Sequence, residues 1–240
     1  MKTHQLHSWD VSVEQARAIQ KNLRAWIVTE GQSCRNPRLM ARIELACARS
    51  GPEAITVQAC VSVKALPSLQ LLERKVALRH SSFPDTPGLA AFCKAPAIVA
   101  ALEKLARVPD FIVCDGRGIT GADSFGLASH IGLITNLPTI GICGPKPRQL
   151  SDVLGPQRAA WLPLQESVRY AALVRVIDGL DPLVVSPAHR MDLETAIQLT
   201  LAAIPATTSA REYQQLLYPE AGIRPPAPVK LQMIQGRRKG

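Results

Sequence analysis

The run ITVQACVSV, residues 55–63, commits this part of the chain to a sheet. Ile55, Val57, Ala59, Val61 and Val63 alternate with Thr56, Gln58, Cys60 and Ser62. An apolar repeat of two is what a strand with one covered face requires, whereas one face of a helix repeats every three to four residues. Turn residues at 50–54, SGPEA, separate this run from a strand expected over 39–47, so the two are expected to form a hairpin. Pro67-Ser68 marks a further turn before a strand expected over 69–78. A three-stranded antiparallel meander is therefore the expected start of the sheet.

A helix is expected ahead of the meander. Ser12 and Gln15 have capping-box spacing, and Ala16, Ile19, Leu23, Trp26 and Ile27 follow near helical spacing. After the meander, helix and strand signals alternate. Residues 96–106 read as a helix with Ile98, Leu102 and Leu105 on one face, and FIVCD at 111–115 as a short buried strand. Residues 124–134 read as a helix that carries Gly126 and Gly132, and TIGIC at 139–143 as a strand ended by Pro145-Lys146-Pro147. Two more strands are expected within 170–176 and 183–185, and a helix over 191–203. Three antiparallel strands followed by alternating helices and strands describe an α/β protein with a mixed sheet flanked by helices. The ribonuclease-H-like fold has this order, and periodicity alone leaves other mixed α/β folds open. One domain is expected over 1–218, followed by a proline-rich, basic tail at 219–240 with Pro225, Pro226, Pro228 and Arg237-Arg238-Lys239.

Composition narrows the partners. Hydrophobic residues make up 47% and aromatics only 4%, so the core must be mostly aliphatic. The net charge of +9 permits a polyanionic partner such as RNA or DNA. The six cysteines form no C-x-x-C pair, which argues against a zinc site and for reduced core thiols. The start MKTHQLHSWD has no apolar leader, and no run reaches the length of a membrane span. The expectation is a soluble, cytoplasmic protein without a membrane partner.

Asp115 is the first candidate for chemistry. It stops a buried strand and is followed by Gly116 and Gly118. A carboxylate there suits a metal or a reacting group, and it equally suits a cap on the glycine turn. Further signals fall in order around it. These are Pro67-Ser68-Leu69, Pro84-x-x-Pro87-Gly88, Phe92 with Pro96, Asp115-Gly116-x-Gly118, Gly126-x-Ala128-Ser129-His130-x-Gly132, Pro138-Thr139-Ile140-Gly141 and His189-Arg190. In this order and spacing, over roughly residues 12–215, the chain resembles the endonuclease V family, nucleases that cut near deaminated purines in DNA or RNA.

The resemblance implies a ribonuclease-H-like fold and Mg²⁺ or Mn²⁺ held by carboxylates, since hard cations take oxygen ligands. It places Asp115 at the family's strand-end aspartate. Glu44 falls at the aspartate of the first strand, one methylene longer, and could equally be a surface glutamate paired with Arg42. Lys94 falls at the family's third carboxylate, in Phe92-Cys93-Lys94-Ala95-Pro96, where its ammonium would repel a divalent ion or stand in for it. Asp85 replaces the tyrosine of the family's base-reading wedge and cannot stack on a base. Gly88, Gly116 and Gly118 keep the loops, while Arg117 replaces a histidine and could meet a phosphate. His130, His189 and Arg190 are candidate contacts to substrate; a satisfied core histidine and a helix-start pair are the plainer alternatives. Asp85 or Asp123 could rebuild a ligand.

The set Asp115, Glu44, Lys94 therefore implies an endonuclease V-like pseudoenzyme. Phosphodiester cleavage at inosine would be lost or much reduced, with nucleic-acid binding retained and the metal itself in question. The alternative is a repurposed enzyme or partner-binding protein with a small-molecule pocket around Asp115 and Lys94. One stripe of Arg42, Arg79, Arg117, Arg148 and Arg190 beside Asp115 would favour nucleic acid. Scattered arginines around a pocket would favour the alternative.

Overall fold

The computed structural model describes residues 1–29, 34, 36–49, 55–84, 86–121, 124–144, 154–164 and 170–217. The first helix, α1 (Val13–Arg24), opens on the expected capping box: Ser12 Oγ accepts from the Gln15 N–H, and the Gln15 side chain accepts from the Ser12 N–H. The meander follows as β1 (Leu39–Arg49), β2 (Ile55–Ala65) and β3 (Leu71–Ser81), antiparallel throughout. The turn at 50–54 lies outside the described residues, but Arg49 opposite Ile55 fixes the hairpin register. β3 starts two residues later than expected. Leu69 sits in the turn at φ 56°, and its N–H donates to the Ala65 carbonyl.

Alternation begins with α2 (Ala90–Leu102), six residues earlier than the sequence suggests. Proline favours the first helical turn, so Pro96 reads as a start signal. Here Pro96 lies inside the helix, which holds because Ala91, Phe92, Cys93, Ala95, Ala97, Ile98, Ala101 and Leu102 are all buried. β4 (Phe111–Asp115) and β5 (Thr139–Cys143) match their expected bounds. α3 (Leu127–Thr135) lies between them and starts after Gly126. Ser124 does not cap it, because its hydroxyl accepts the Thr120 and Gly121 N–H groups and closes the preceding turn. Gly132 lets α3 sit tight on the chain at His189: a Cβ there would lie 2.6 Å from the His189 Cβ.

The last third adds β6 (Trp161–Pro163), β7 (Ala172–Val174), β8 (Leu183–Pro187), α4 (Leu193–Ala203) and α5 (Ala210–Leu217). The sheet has eight strands in the order β3-β2-β1-β4-β5-β8-β7-β6. β1, β4 and β5 run parallel, and the strands outside them pair antiparallel. The first five strands in this order make the ribonuclease-H-like arrangement the sequence led us to expect.

The two faces of the sheet build two cores. Ala41, Ile43, Leu45, Ile112 and Cys114 pack with α2 and α3 on one face. Met40, Phe111, Val113, Ile140 and Ile142 pack with α4 and α5 on the other. α5 is anchored by Tyr213, which is fully buried and donates its hydroxyl to the Asp181 carbonyl at 2.5 Å.

Candidate functional site

Alternation decides which charges meet. Met40 belongs to the α4–α5 face and Ala41 to the other, so Arg42 and Glu44 on β1 turn to the α4–α5 face. Phe111 and Val113 belong to that face too, which brings Asp115 there at the end of β4. Arg42 Nη2 donates to Asp115 Oδ1 at 2.5 Å, with the two side chains 7% and 8% exposed. Burial pushes the Asp115 carboxyl up to about 6; the Arg42 guanidinium pulls against this, Glu44 adds to it, and the Leu45 N–H pulls against it again.

Only one side of the Arg42 guanidinium is used. Nε and Nη1 are buried and have no hydrogen-bond partner among the described residues. The Arg42 side chain lines a groove of about 940 Å³ bounded by β1, β2, β3 and the connection from α4 to α5. Arg42, Ser62 and Arg74 stand opposite one another across three strands at the floor of this groove. Arg74 Nε donates to the Cys60 thiol at 2.9 Å.

This donor set does not fit a divalent cation. Among the described residues, no group of three or more His, Cys, Asp or Glu side chains converges to hold one. Glu44 and Asp115 share the groove, but a guanidinium rests directly on Asp115 where an ion would need the oxygen. The sequence offered Lys94 as a group that would either repel a divalent ion or stand in for it. The structure sets Arg42 against the Asp115 carboxylate, and the Lys94 charge bears on the thiol of the preceding Cys114. The sequence offered Arg42 as a surface partner of Glu44 and as one member of an arginine stripe beside Asp115, but not as the buried cation on the Asp115 carboxylate.

The other candidates fall elsewhere. Asp85 and Asp123 lie outside the described residues, as do Arg148 and the tail at 219–240. Gly88 sits at φ +84° in the turn before α2 and accepts from Gln20 Nε2, which ties that turn to α1. Gly116, at φ +149°, and Gly118 shape the loop after β4; a Cβ on the neighbouring Gly141 would strike the Gly116 carbonyl at 2.4 Å. Arg117 is exposed in that loop. His189 accepts from the Val28 N–H on Nδ1 at 3.4 Å, which leaves Nε2 to donate to Asn136 Oδ1 at 3.1 Å. Arg190 reaches the same Asn136 oxygen, so this pair ties the exit of α1 to the end of α3. Arg79 shares the strand parity of Ala77, which packs in the α2–α3 core, so it faces away from Arg42. Arg42, Arg79 and Arg190 therefore do not form one stripe.

His130 lies in a box of aromatic rings, with the centroids of His7, Trp9, Phe125 and Phe92 at 4.8, 5.4, 5.4 and 5.5 Å. Its Nε2 is 2.6 Å from His7 Nε2, and its Nδ1 has no partner among the described residues. Burial and the His7 charge lower His130 to about 3; burial and the Arg190 charge lower His189 to about 4. Both rings stay neutral when folded and protonate near 6.5 when unfolded. Their stabilisation is complete above pH 6.5 and declines as the pH falls from there, the loss being complete only below about 4 for His189 and 3 for His130. Asp115 acts with the opposite sign: its raised value favours the fold as the pH falls from about 6 to 3.8. Two histidines against one aspartate leave a net loss of the order of one proton, roughly 1 kcal/mol per pH unit, from these groups as the pH falls through that window. His130→Phe should cancel most of that slope, which thermal melts at several pH values between 7 and 4 would read; an unchanged slope would remove His130 from the account.

Comparisons with known proteins agree with this geometry on ancestry. The family model described as Endonuclease V matches residues 21–210. Endonuclease V of Roseiflexus castenholzii is 38% identical over 218 residues, covering 88% of this chain and 96% of that protein. The crystal structure of endonuclease V from Bacillus subtilis superposes with a TM-score of 0.76 at 24% identity, covering 87% of this chain and 90% of that one. Endonuclease V of Ciona intestinalis was solved in complex with a 24mer DNA containing an inosine followed by a ribo-adenosine. It superposes with a TM-score of 0.67 at 19% identity and covers 79% of this chain and 88% of that one.

Proposed function

We propose, from the premise that the chain belongs to the endonuclease V family, that it is a nucleic-acid-binding member whose metal-dependent cleavage at deaminated purines is lost or much reduced. The observation that carries this reading is the buried Arg42–Asp115 pair at 2.5 Å. A cation supplied by the chain occupies the carboxylate that a divalent ion would need. Glu44, lengthened by a methylene, and Lys94, reversed in charge, support the same reading. The net charge of +9 and the DNA-bound relative from Ciona support nucleic acid as the partner. The cytoplasm is the proposed compartment. It suits the buried thiols Cys34, Cys60 and Cys114, and among the described residues no helix is long and apolar enough to cross a membrane.

A Mn²⁺ titration followed by electron paramagnetic resonance, run beside a gel-retardation assay in EDTA, tests this reading. Retarded RNA or DNA without saturable Mn²⁺ binding is the expected result. Saturable Mn²⁺ binding that Asp115→Asn abolishes would contradict it.

The second reading, a repurposed small-molecule site, is favoured by the scatter of the arginines and by the groove itself. Its volume of about 940 Å³ lies in the range of ligand pockets.

A further inference from the structure

Arg42 is unusual in what it leaves unused. A guanidinium has five N–H donors in a planar fork, and here one nitrogen, Nη2, serves Asp115. Nε and Nη1 keep their protons buried and without a partner among the described residues while the side chain lines an open groove. A buried, unsatisfied charged donor is costly unless something accepts from it. The groove supplies a second fork. Arg74 lies across from Arg42 in the same register row, with Ser62 between them. Two strand spacings separate the arginine backbones by about 10 Å, and both side chains rise on the groove side. Two forks over a hydroxyl match the geometry of a tetrahedral oxyanion.

We propose that this groove binds a phosphomonoester, carried by a free nucleotide or by the phosphorylated end of a nucleic-acid strand, with the phosphate held between Arg42 and Arg74 above Ser62. The inference rests on the reading that Asp115 is closed to metal, since a bound divalent ion would displace the Arg42 fork.

The surrounding charges favour a terminal phosphate over an internal one. Lining cations Arg42, Arg74 and Lys64 are matched by the carboxylates Glu44, Asp115 and Glu212. The Glu44 charge acts on both Asp115 and Arg74. The charges of the described lining residues balance, so recognition in the groove falls to the directed donors of Arg42 and Arg74. A dianionic monoester can take donors on three oxygens, whereas an internal diester offers two and brings a second length of backbone towards the carboxylates.

Calorimetric titration in EDTA tests the proposal. The probes are inorganic phosphate, adenosine 5′-monophosphate, and one ten-nucleotide single strand with a 5′-phosphate or a 5′-hydroxyl. Saturable binding is expected for the phosphate-bearing probes, with the 5′-hydroxyl strand at least about tenfold weaker. Arg74 is exposed, so the ligand-free melting curve of Arg74→Ala should overlie that of the wild type while each phosphate probe weakens at least about tenfold. Arg42→Lys keeps a cation for Asp115 but removes the fork, and should weaken the phosphate probes in a folded protein. Equal affinity for the 5′-phosphate and 5′-hydroxyl strands, no saturation with any phosphate probe, or unchanged binding in Arg74→Ala would overturn the proposal. The Mn²⁺ titration stays separate: metal binding there would sink the proposed loss of the metal site, whatever the phosphate titration in EDTA shows.

Discussion

Arg42→Ala is expected to lower the unfolding free energy by about 3–5 kcal/mol at pH 8, because it strands a buried carboxylate. Asp115 is 8% exposed, and burial already pushes its carboxyl up to about 6 with Arg42 in place. Without the guanidinium its pKa must rise further. The loss should therefore shrink towards pH 5, where the carboxyl takes up a proton in both proteins and the uncompensated charge disappears. The double variant Arg42→Met, Asp115→Leu should recover most of the loss, since a buried pair contributes little beyond an apolar pair of similar volume. Urea unfolding at pH 5 and pH 8 reads all three proteins. A loss below about 1 kcal/mol at pH 8 would mean that the pair behaves as a solvated surface contact.

The second large effect is a gain. The triple variant Arg42→Ala, Glu44→Asp, Lys94→Glu removes the guanidinium, restores the shorter carboxylate and reverses the charge on α2. It is expected to bind Mn²⁺ saturably. Cleavage of an inosine-containing strand should rise at least about 100-fold over the wild type, which corresponds to roughly 3 kcal/mol of transition-state stabilisation. Adding Asp115→Ala should abolish both. The triple variant carries the Arg42 loss, so its fold must be checked by circular dichroism before either readout. A folded triple variant that binds Mn²⁺ no better than the wild type would show that these three positions do not account for the metal site.

The sequence was most legible where one physical signal acted alone. β4 and β5 are short apolar runs bounded by a carboxylate, glycines and a proline, and their bounds came out as expected. α1 was legible through a capping box whose two hydrogen bonds both form. α2 was misjudged at its start because local proline chemistry and burial point in opposite directions, and burial of eight of its thirteen residues prevails. β6 has three residues, too few for alternation to register, and α5 is short and rich in polar residues, anchored by the buried Tyr213.

At the site, Asp115 and Glu44 were legible as residues, but their partner was not. The signal existed. In LMARIELAC, Arg42 and Glu44 are the two charged residues of a mostly apolar run and lie two positions apart, so both must share a face. What sequence could not supply was the parallel pairing of β1 with β4, which brings Asp115 to that face beside Arg42.

The most direct test of the central claim uses labelled single- and double-stranded RNA and DNA, with and without inosine, incubated with the wild-type protein in Mg²⁺ and in Mn²⁺ and read for retardation and cleavage together. Retardation without cutting is the result this account predicts. Metal-dependent cutting near inosine that vanishes in Asp115→Ala would contradict it.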